Sequence, residues 1–351
     1  MLDSPERTAR LDPDGMGDRI EAFASQLRAG ASIARPVISR LAPHRPRRVV
    51  FFGMGGSAIA GELTRALIDR EGASPFHVVR HYEPPSWLTP EDLLVFSSYS
   101  GETEETLTAY QATRYLGARA IALSTGGSLA RLAAADRVPV ALLPPGHPPR
   151  AALGFSFSTL IEIASHLALL PEGGARLEAA AKGVEEVAST CRRTVIESRN
   201  PAKRLAIRLA GRPVVLLANE RSLGPVALRW KGQLNENSKH LAWAAPLPEM
   251  NHNEVDGYVH PAGQVVRFTA VLLRDRSDHP RIQARFRWLQ GYLRRKGLRV
   301  ETFQAKGSDA MTRLMASTAM GDFVSYYLAL ANGTDPSALP GVQSLKRALK
   351  R

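Results

Sequence analysis

The feature that most constrains this chain is a repeated alternation of short, continuous apolar runs with longer stretches of helical spacing. Val49-Val50-Phe51-Phe52 is apolar throughout and ends in glycines, the pattern of a strand buried on both faces. Residues 57–69 then read as a helix. Further strand patterns occupy residues 76–80, 93–96, 120–123 and 138–142, with helical stretches at 103–116 and 128–134. Such strands, alternating with helices, predict a parallel sheet covered by helices. The alternation restarts at Pro213-Val214-Val215-Leu216-Leu217. It continues with a helix over 222–236, strands over 241–245 and 264–273, a helix over 279–296, a strand over 298–303 and a helix over 309–331. A last short helix is expected from Pro340 to Lys350. Residues 152–199 read as helical, broken only at Pro171-Glu172-Gly173-Gly174. Ahead of the first series, Ile20, Phe23, Leu27, Ile33, Val37 and Leu41 have helical spacing over 15–42. The expectation is two α/β units in tandem, about 45–150 and 200–335. As domains, these give a helical extension over 1–44, a first unit over 45–170 and a second over 171–351.

Composition narrows the function. A chain of 351 residues that is 44% hydrophobic is globular, not disordered, and long enough for two domains. Lys and Arg number 46 against 33 Asp and Glu, a net charge of +13. That balance raises three anionic partners: a nucleic acid, a membrane surface or a small anion. No apolar run reaches the roughly 20 residues that span a bilayer. The start, Met1-Leu2-Asp3-Ser4-Pro5-Glu6, has no apolar core of signal-peptide type. A cytoplasmic protein without a membrane role is expected. The single cysteine, Cys191, excludes an intrachain disulfide and the Cys-rich zinc motifs. Its neighbours Arg192 and Arg193 would favour a thiolate, yet a bland helical cysteine is the preferred reading. The basic stretch from Arg281 to Trp288 hints at a nucleic-acid surface. Phe286 and Trp288 are better read as the buried face of a helix, so no nucleic acid is expected.

Three segments carry chemistry. Gly53-Met54-Gly55-Gly56-Ser57-Ala58 follows a strand and opens a helix, the setting of an anion site. Alone it also suits a dinucleotide, with Glu83 placed to hold a ribose, or an empty tight turn. Ser97-Ser98-Tyr99-Ser100-Gly101-Glu102-Thr103 is a second loop after a strand, rich in hydroxyls. Ligands of open parallel sheets bind at the C-terminal ends of the strands. Two anion-friendly loops on one sheet favour a phosphate monoester over a dinucleotide. The third segment joins Asn235-Glu236-Asn237-Ser238-Lys239 to Pro248-Glu249-Met250-Asn251-His252-Asn253-Glu254, between elements of the second unit. A carboxylate and a histidine near neutrality are the tools of proton transfer. The spacing lacks the HExxH pattern, so no metal is expected. Arg150, just after the last strand of the first unit, is a permanent cation available to an oxyanion.

The loop Ser98-Tyr99-Ser100-Gly101-Glu102-Thr103-Glu104-Glu105-Thr106 resembles the signature of sugar isomerase (SIS) domains. The Gly53–Gly61 segment and the Pro248–Glu254 segment are similar to those of the bifunctional phosphoglucose/phosphomannose isomerase family. The resemblance covers about residues 45–350. It implies two tandem SIS-type, flavodoxin-like parallel-sheet subdomains with flanking helices, acting as a homodimer. It implies an aldose–ketose isomerase of glucose-6-phosphate or mannose-6-phosphate and fructose-6-phosphate, in carbohydrate metabolism, without a cofactor. By position, Gly55, Gly56 and Ser57 match the loop close to the sugar. Ser98, Ser100 and Thr103 match the residues that hold the phosphate. Arg150 matches the arginine that stabilises an enediolate, and Glu236 the base. His252 matches the ring-opening histidine contributed by the partner subunit, and Lys346 a lysine near the ring oxygen. Glu102 departs from the family, which commonly has asparagine there; beside a phosphate it would repel unless it points outward. The alternative is a non-catalytic SIS-type phosphosugar-binding regulator. Such regulators carry a helix-turn-helix domain, for which 44 leading residues are short.

Overall fold

The structure is a computed structural model and describes residues 2–72 and 74–349; Lys350, the expected end of the last helix, lies outside them. Four short helices come first: α1 (Pro5–Leu11), α2 (Met16–Glu21), α3 (Phe23–Arg28) and α4 (Gly30–Ile38). The helical stretch expected over 15–42 is therefore broken. Ala22 and Ala29 open the turns with ψ of 3° and −14°, and Pro36 inside α4 lacks an N–H. The first series follows as β1 (Val49–Gly53), α5 (Gly55–Glu71), β2 (Phe76–Val79), β3 (Leu93–Ser97), α6 (Glu104–Thr113), β4 (Arg119–Ser124), α7 (Gly127–Ala135) and β5 (Val140–Leu142). After a 3-10 turn at Pro149–Ala151 come α8 (Leu153–His166), α9 (Gly173–Cys191) and α10 (Pro201–Leu209). The second series is β6 (Val214–Asn219), α11 (Gly224–Ser238), β7 (Ala242–Leu247), α12 (Met250–Asn253), α13 (Ala262–Val265), β8 (Thr269–Arg274), α14 (Pro280–Arg295), β9 (Arg299–Gln304), α15 (Ala310–Asn332) and α16 (Pro340–Leu349).

The chain divides into two compact units. One comprises Ala22–Glu185 with Lys306–Ala316; the other comprises the residues up to Glu21, Glu186–Ala305 and those from Ser317 on. In the first, five parallel strands run in the order β2-β1-β3-β4-β5, with Val49 opposite both Phe76 and Leu93. Val50, Phe52, Leu94, Phe96 and Ala122 bury one face against Tyr110 of α6 and Leu129 of α7. Phe52 and Phe96 stack at 4.9 Å. Strand order reverses between β1 and β3, so the loops after those two strands part around a crevice.

In the second unit, four parallel strands run β7-β6-β8-β9. Val215, Leu217, Ala270 and Leu272 pack on Phe286, Leu289 and Leu293 of α14. Phe286 is buried as expected, but Trp288 is not: it is 51% exposed and stacks on Tyr292 at 4.8 Å. Two residues turn a helix by about 200°, so the two aromatics cannot share an inner face. The strand expected over 264–273 begins only at Thr269. Pro261 starts the one-turn helix α13, which places Val265 in the same core cluster from a helical turn. Asn237 and Ser238, expected after the helix, belong to the last turn of α11, and Lys239 closes it in the left-handed region at φ 50°. Cys191 is buried at the end of α9, where burial pushes its thiol pKa up. Among the described residues no helix is long and apolar enough to cross a membrane.

Candidate active site

The first unit brings seven of the ten expected site residues onto its sheet's C-terminal side, on three connected loops. Met54 caps α5, and the N–H groups of Ser57 and Ala58 donate to its carbonyl at 3.0 and 3.2 Å. Gly55 stands at φ +48°, a conformation that favours glycine. A Cβ on Gly56 would lie 3.1 Å from the Pro149 carbonyl carbon and oxygen and 3.2 Å from the Arg150 nitrogen. That glycine is what lets the start of α5 approach the turn carrying Arg150. A helix start of this kind offers N–H groups and a positive dipole end to an anion.

The second loop is held by its own hydroxyls. Ser98 is fully buried; its Oγ lies 2.7 Å from Thr103 Oγ1 and accepts the Thr103 N–H at 3.3 Å. Ser100 is exposed, and its Oγ accepts the Glu102 N–H at 3.2 Å. Gly101, at φ +73°, donates to the Ser98 carbonyl at 3.0 Å, and a side chain there would overlap the Gly126 carbonyl. Ser97 Oγ and Thr106 Oγ1, flanking the loop, are buried hydroxyls without a hydrogen-bond partner among the described residues.

Tyr99 is the residue that sequence reasoning passed over. Its N–H donates to Ser57 Oγ at 3.3 Å, tying the second loop to the first. Its hydroxyl donates to the Pro144 carbonyl at 2.7 Å and accepts the His147 N–H at 3.1 Å. Through its backbone and its side chain, this one residue ties both loops to the segment leading to Arg150. The available signal was an aromatic in a run of small hydroxyl residues. Arg150 sits in the Pro149–Ala151 turn and is 4% exposed.

Glu102 is engaged by the start of α7. Its carboxylate accepts the Ser128 N–H and hydroxyl, both at 2.8 Å, at the start of α7. The Ser128 hydroxyl, with the Ser128 N–H, holds its pKa below the ordinary carboxylate value. Helix starts favour negative charge, so the departure from asparagine is absorbed there.

The other three expected residues belong to the second unit. Glu236 is half-buried in the last turns of α11. His252 is exposed on α12. Tyr292 of α14 donates to the Val255 carbonyl at 3.3 Å and Arg285 to Asn251 Oδ1 at 3.4 Å, two contacts on the segment that carries it. Nearby, burial raises the Glu254 carboxyl pKa. Lys346 is exposed on α16.

Comparisons with known proteins identify the family. Residues 44–143 match the SIS domain family, and residues 198–349 match the bacterial phospho-glucose isomerase C-terminal SIS domain. The chain is 35% identical to a bifunctional phosphoglucose/phosphomannose isomerase of Caldicellulosiruptor bescii, over 86% of this chain and 89% of that one. It is 30% identical to one of Aquifex aeolicus, over 86% and 90% of the two chains. A crystal structure of a hypothetical protein from Thermus thermophilus shares the fold, with a TM-score of 0.75 at 17% identity over 98% of this chain and 93% of that one. The order of elements, the two domain matches and the 35% identity over 86% of the chain lead to one assignment: the chain belongs to the bifunctional phosphoglucose/phosphomannose isomerase family.

Proposed function

We propose that the protein interconverts glucose-6-phosphate and mannose-6-phosphate with fructose-6-phosphate through a cis-enediol. The observation that carries this reading is the joined pair of loops at the first sheet's switch point, in a chain 35% identical to a bifunctional isomerase. Ser57, Ser98, Ser100 and Thr103 supply hydroxyls and N–H groups to the phosphate, with Gly55 and Gly56 admitting it to the backbone. Such donors bind a dianion without needing a cluster of arginines.

Isomerisation moves one proton between C1 and C2. In this reading Glu236 takes it from one carbon and returns it to the other, a role worth about 10²–10⁴-fold. Arg150 offsets the charge that develops on the enediolate oxygen, a contribution of about 3 kcal/mol in comparable sites. His252, supplied by the second subunit of a homodimer, protonates the ring oxygen during opening, and Lys346 lies beside that oxygen. The protein works in the cytoplasm on phosphorylated hexoses.

A coupled assay of fructose-6-phosphate formation from each aldose phosphate tests the reading. Turnover of both is expected. Binding of both without turnover would replace it with a phosphosugar-binding regulator.

A further inference from the structure

Beside the apolar Val226, Trp230 and Leu234, α11 buries a row of polar side chains, Arg229, Gln233, Asn237 and Ser238, that bond to α15. Arg229 grips Asp322 of α15 with two parallel bonds, Nε to Oδ1 at 3.1 Å and Nη2 to Oδ2 at 3.0 Å. Their side chains are only 4% and 7% exposed. Gln233 Nε2 donates to the same Oδ1 at 2.8 Å. One turn on, Asn237 Nδ2 donates to Ser325 Oγ at 3.0 Å, and Ser238 Oγ to the Ser325 carbonyl at 2.7 Å. Trp230 Nε1 donates to the Ser317 carbonyl at 2.8 Å, and a side chain on Gly321 would overlap its ring. Every one of these bonds joins α11 to α15.

Energy alone does not explain such a seam. Apolar residues of similar volume often replace a buried ion pair without loss of stability. What the polar seam adds is direction: a bidentate guanidinium–carboxylate pair is satisfied in one rotation and one register only. Seven residues make nearly two turns, so Glu236 lies almost directly above Arg229 on the helix surface. Gln233 and Asn237 lie to one side of that line, about 40° and 80° around the helix from Arg229. Any rotation of α11 that breaks the seam carries Glu236 with it.

We propose that the Arg229–Asp322 pair, braced by Gln233, is a positioning device that fixes the rotation of α11 and so the placement of the Glu236 carboxylate. The inference rests on the reading of Glu236 as the base. A base serving both C1 and C2 has to sit over two adjacent carbons, and a displacement of about 1 Å can cost about 10²-fold in rate.

The test is a triple variant, Arg229→Met with Gln233→Met and Asp322→Leu, assayed beside Glu236→Gln. The triple variant should fold with a thermal midpoint near that of the parent. Its KM should stay within about threefold, because the phosphate loops belong to the other unit, while kcat falls by about tenfold or more. A folded triple variant whose kcat falls by less than that overturns the proposal. Should it fail to fold, Gln233→Met alone carries the test. That variant leaves the ion pair in place but frees it to swing, and kcat should drop by at least about threefold at constant KM. An unchanged kcat overturns the proposal. Full turnover by Glu236→Gln would remove the base assignment and the proposal with it. An inactive Glu236→Gln beside a fully active triple variant would remove the proposal alone.

Discussion

The two sheets are built to one plan and end in different crevices. In the first, the reversal of strand order lies between β1 and β3, and the loops there carry Gly55, Gly56, Ser57 and Ser98. In the second, it lies between β6 and β8, and a side chain of the protein occupies the corresponding place. Asp278, 8% exposed, accepts from Asn219 Nδ2 at 2.7 Å and Ser222 Oγ at 2.6 Å. Its second oxygen is buried without a hydrogen-bond partner among the described residues. Burial raises its pKa, against the opposing pull of the two hydrogen bonds. In the proposed reading the first crevice offers its donors to a phosphate, whereas the second spends its donors on an internal carboxylate. A shared fold does not give a shared site; the loops decide.

Swapping these solutions should break the difference. Placing a carboxylate in the first crevice, Ser57→Asp, sets like charges side by side. Phosphosugar affinity should fall by about 10²-fold or more, read by calorimetry, with the circular dichroism unchanged. Gly56→Ala is milder. The new methyl presses on the Pro149 carbonyl and shifts the turn that carries Arg150. Turnover should fall by about tenfold with a smaller change in KM.

In the second crevice, Asp278 gives a pH signature. Its folded pKa lies above the ordinary 3.8, so its contribution to stability is complete below pH 3.8 and lost as pH rises through the raised value. Asp278→Asn should flatten the stability profile over that window, seen in denaturation midpoints against pH. A profile with the same slope in the variant would show that the carboxylate is not strained by burial. The smallest effect is expected at Glu102, which is exposed and whose carboxylate is held by Ser128 and, more distantly, by Arg131. Glu102→Gln should change KM by no more than about threefold.

Much of this was legible in the sequence, for identifiable reasons. Buried parallel strands are continuous apolar runs, so β1, β3 and β6 declared themselves, and glycines and hydroxyls after β1 and β3 marked the two loops proposed to hold the phosphate. The elements that escaped owe their form to tertiary contacts. The last turn of α11 persists because Ser325 holds Asn237 and Ser238. Trp288 faces outward because Phe286 takes the core position. Tyr99 and Asp278 escaped because each acts across loops distant in sequence, a relation that periodicity does not carry. The seam from Arg229 to Asp322 spans 93 positions and escaped for the same reason.

The account stands on Glu236 as the single base of a proton transfer. Interconversion of fructose-6-phosphate and the aldose phosphates in heavy water tests it most directly, comparing the parent with Glu236→Gln. The parent should form aldose phosphate with deuterium at C2. The variant should bind the phosphosugar and neither turn over nor exchange a proton. Turnover or deuterium exchange by Glu236→Gln at the parent's rate would contradict the account.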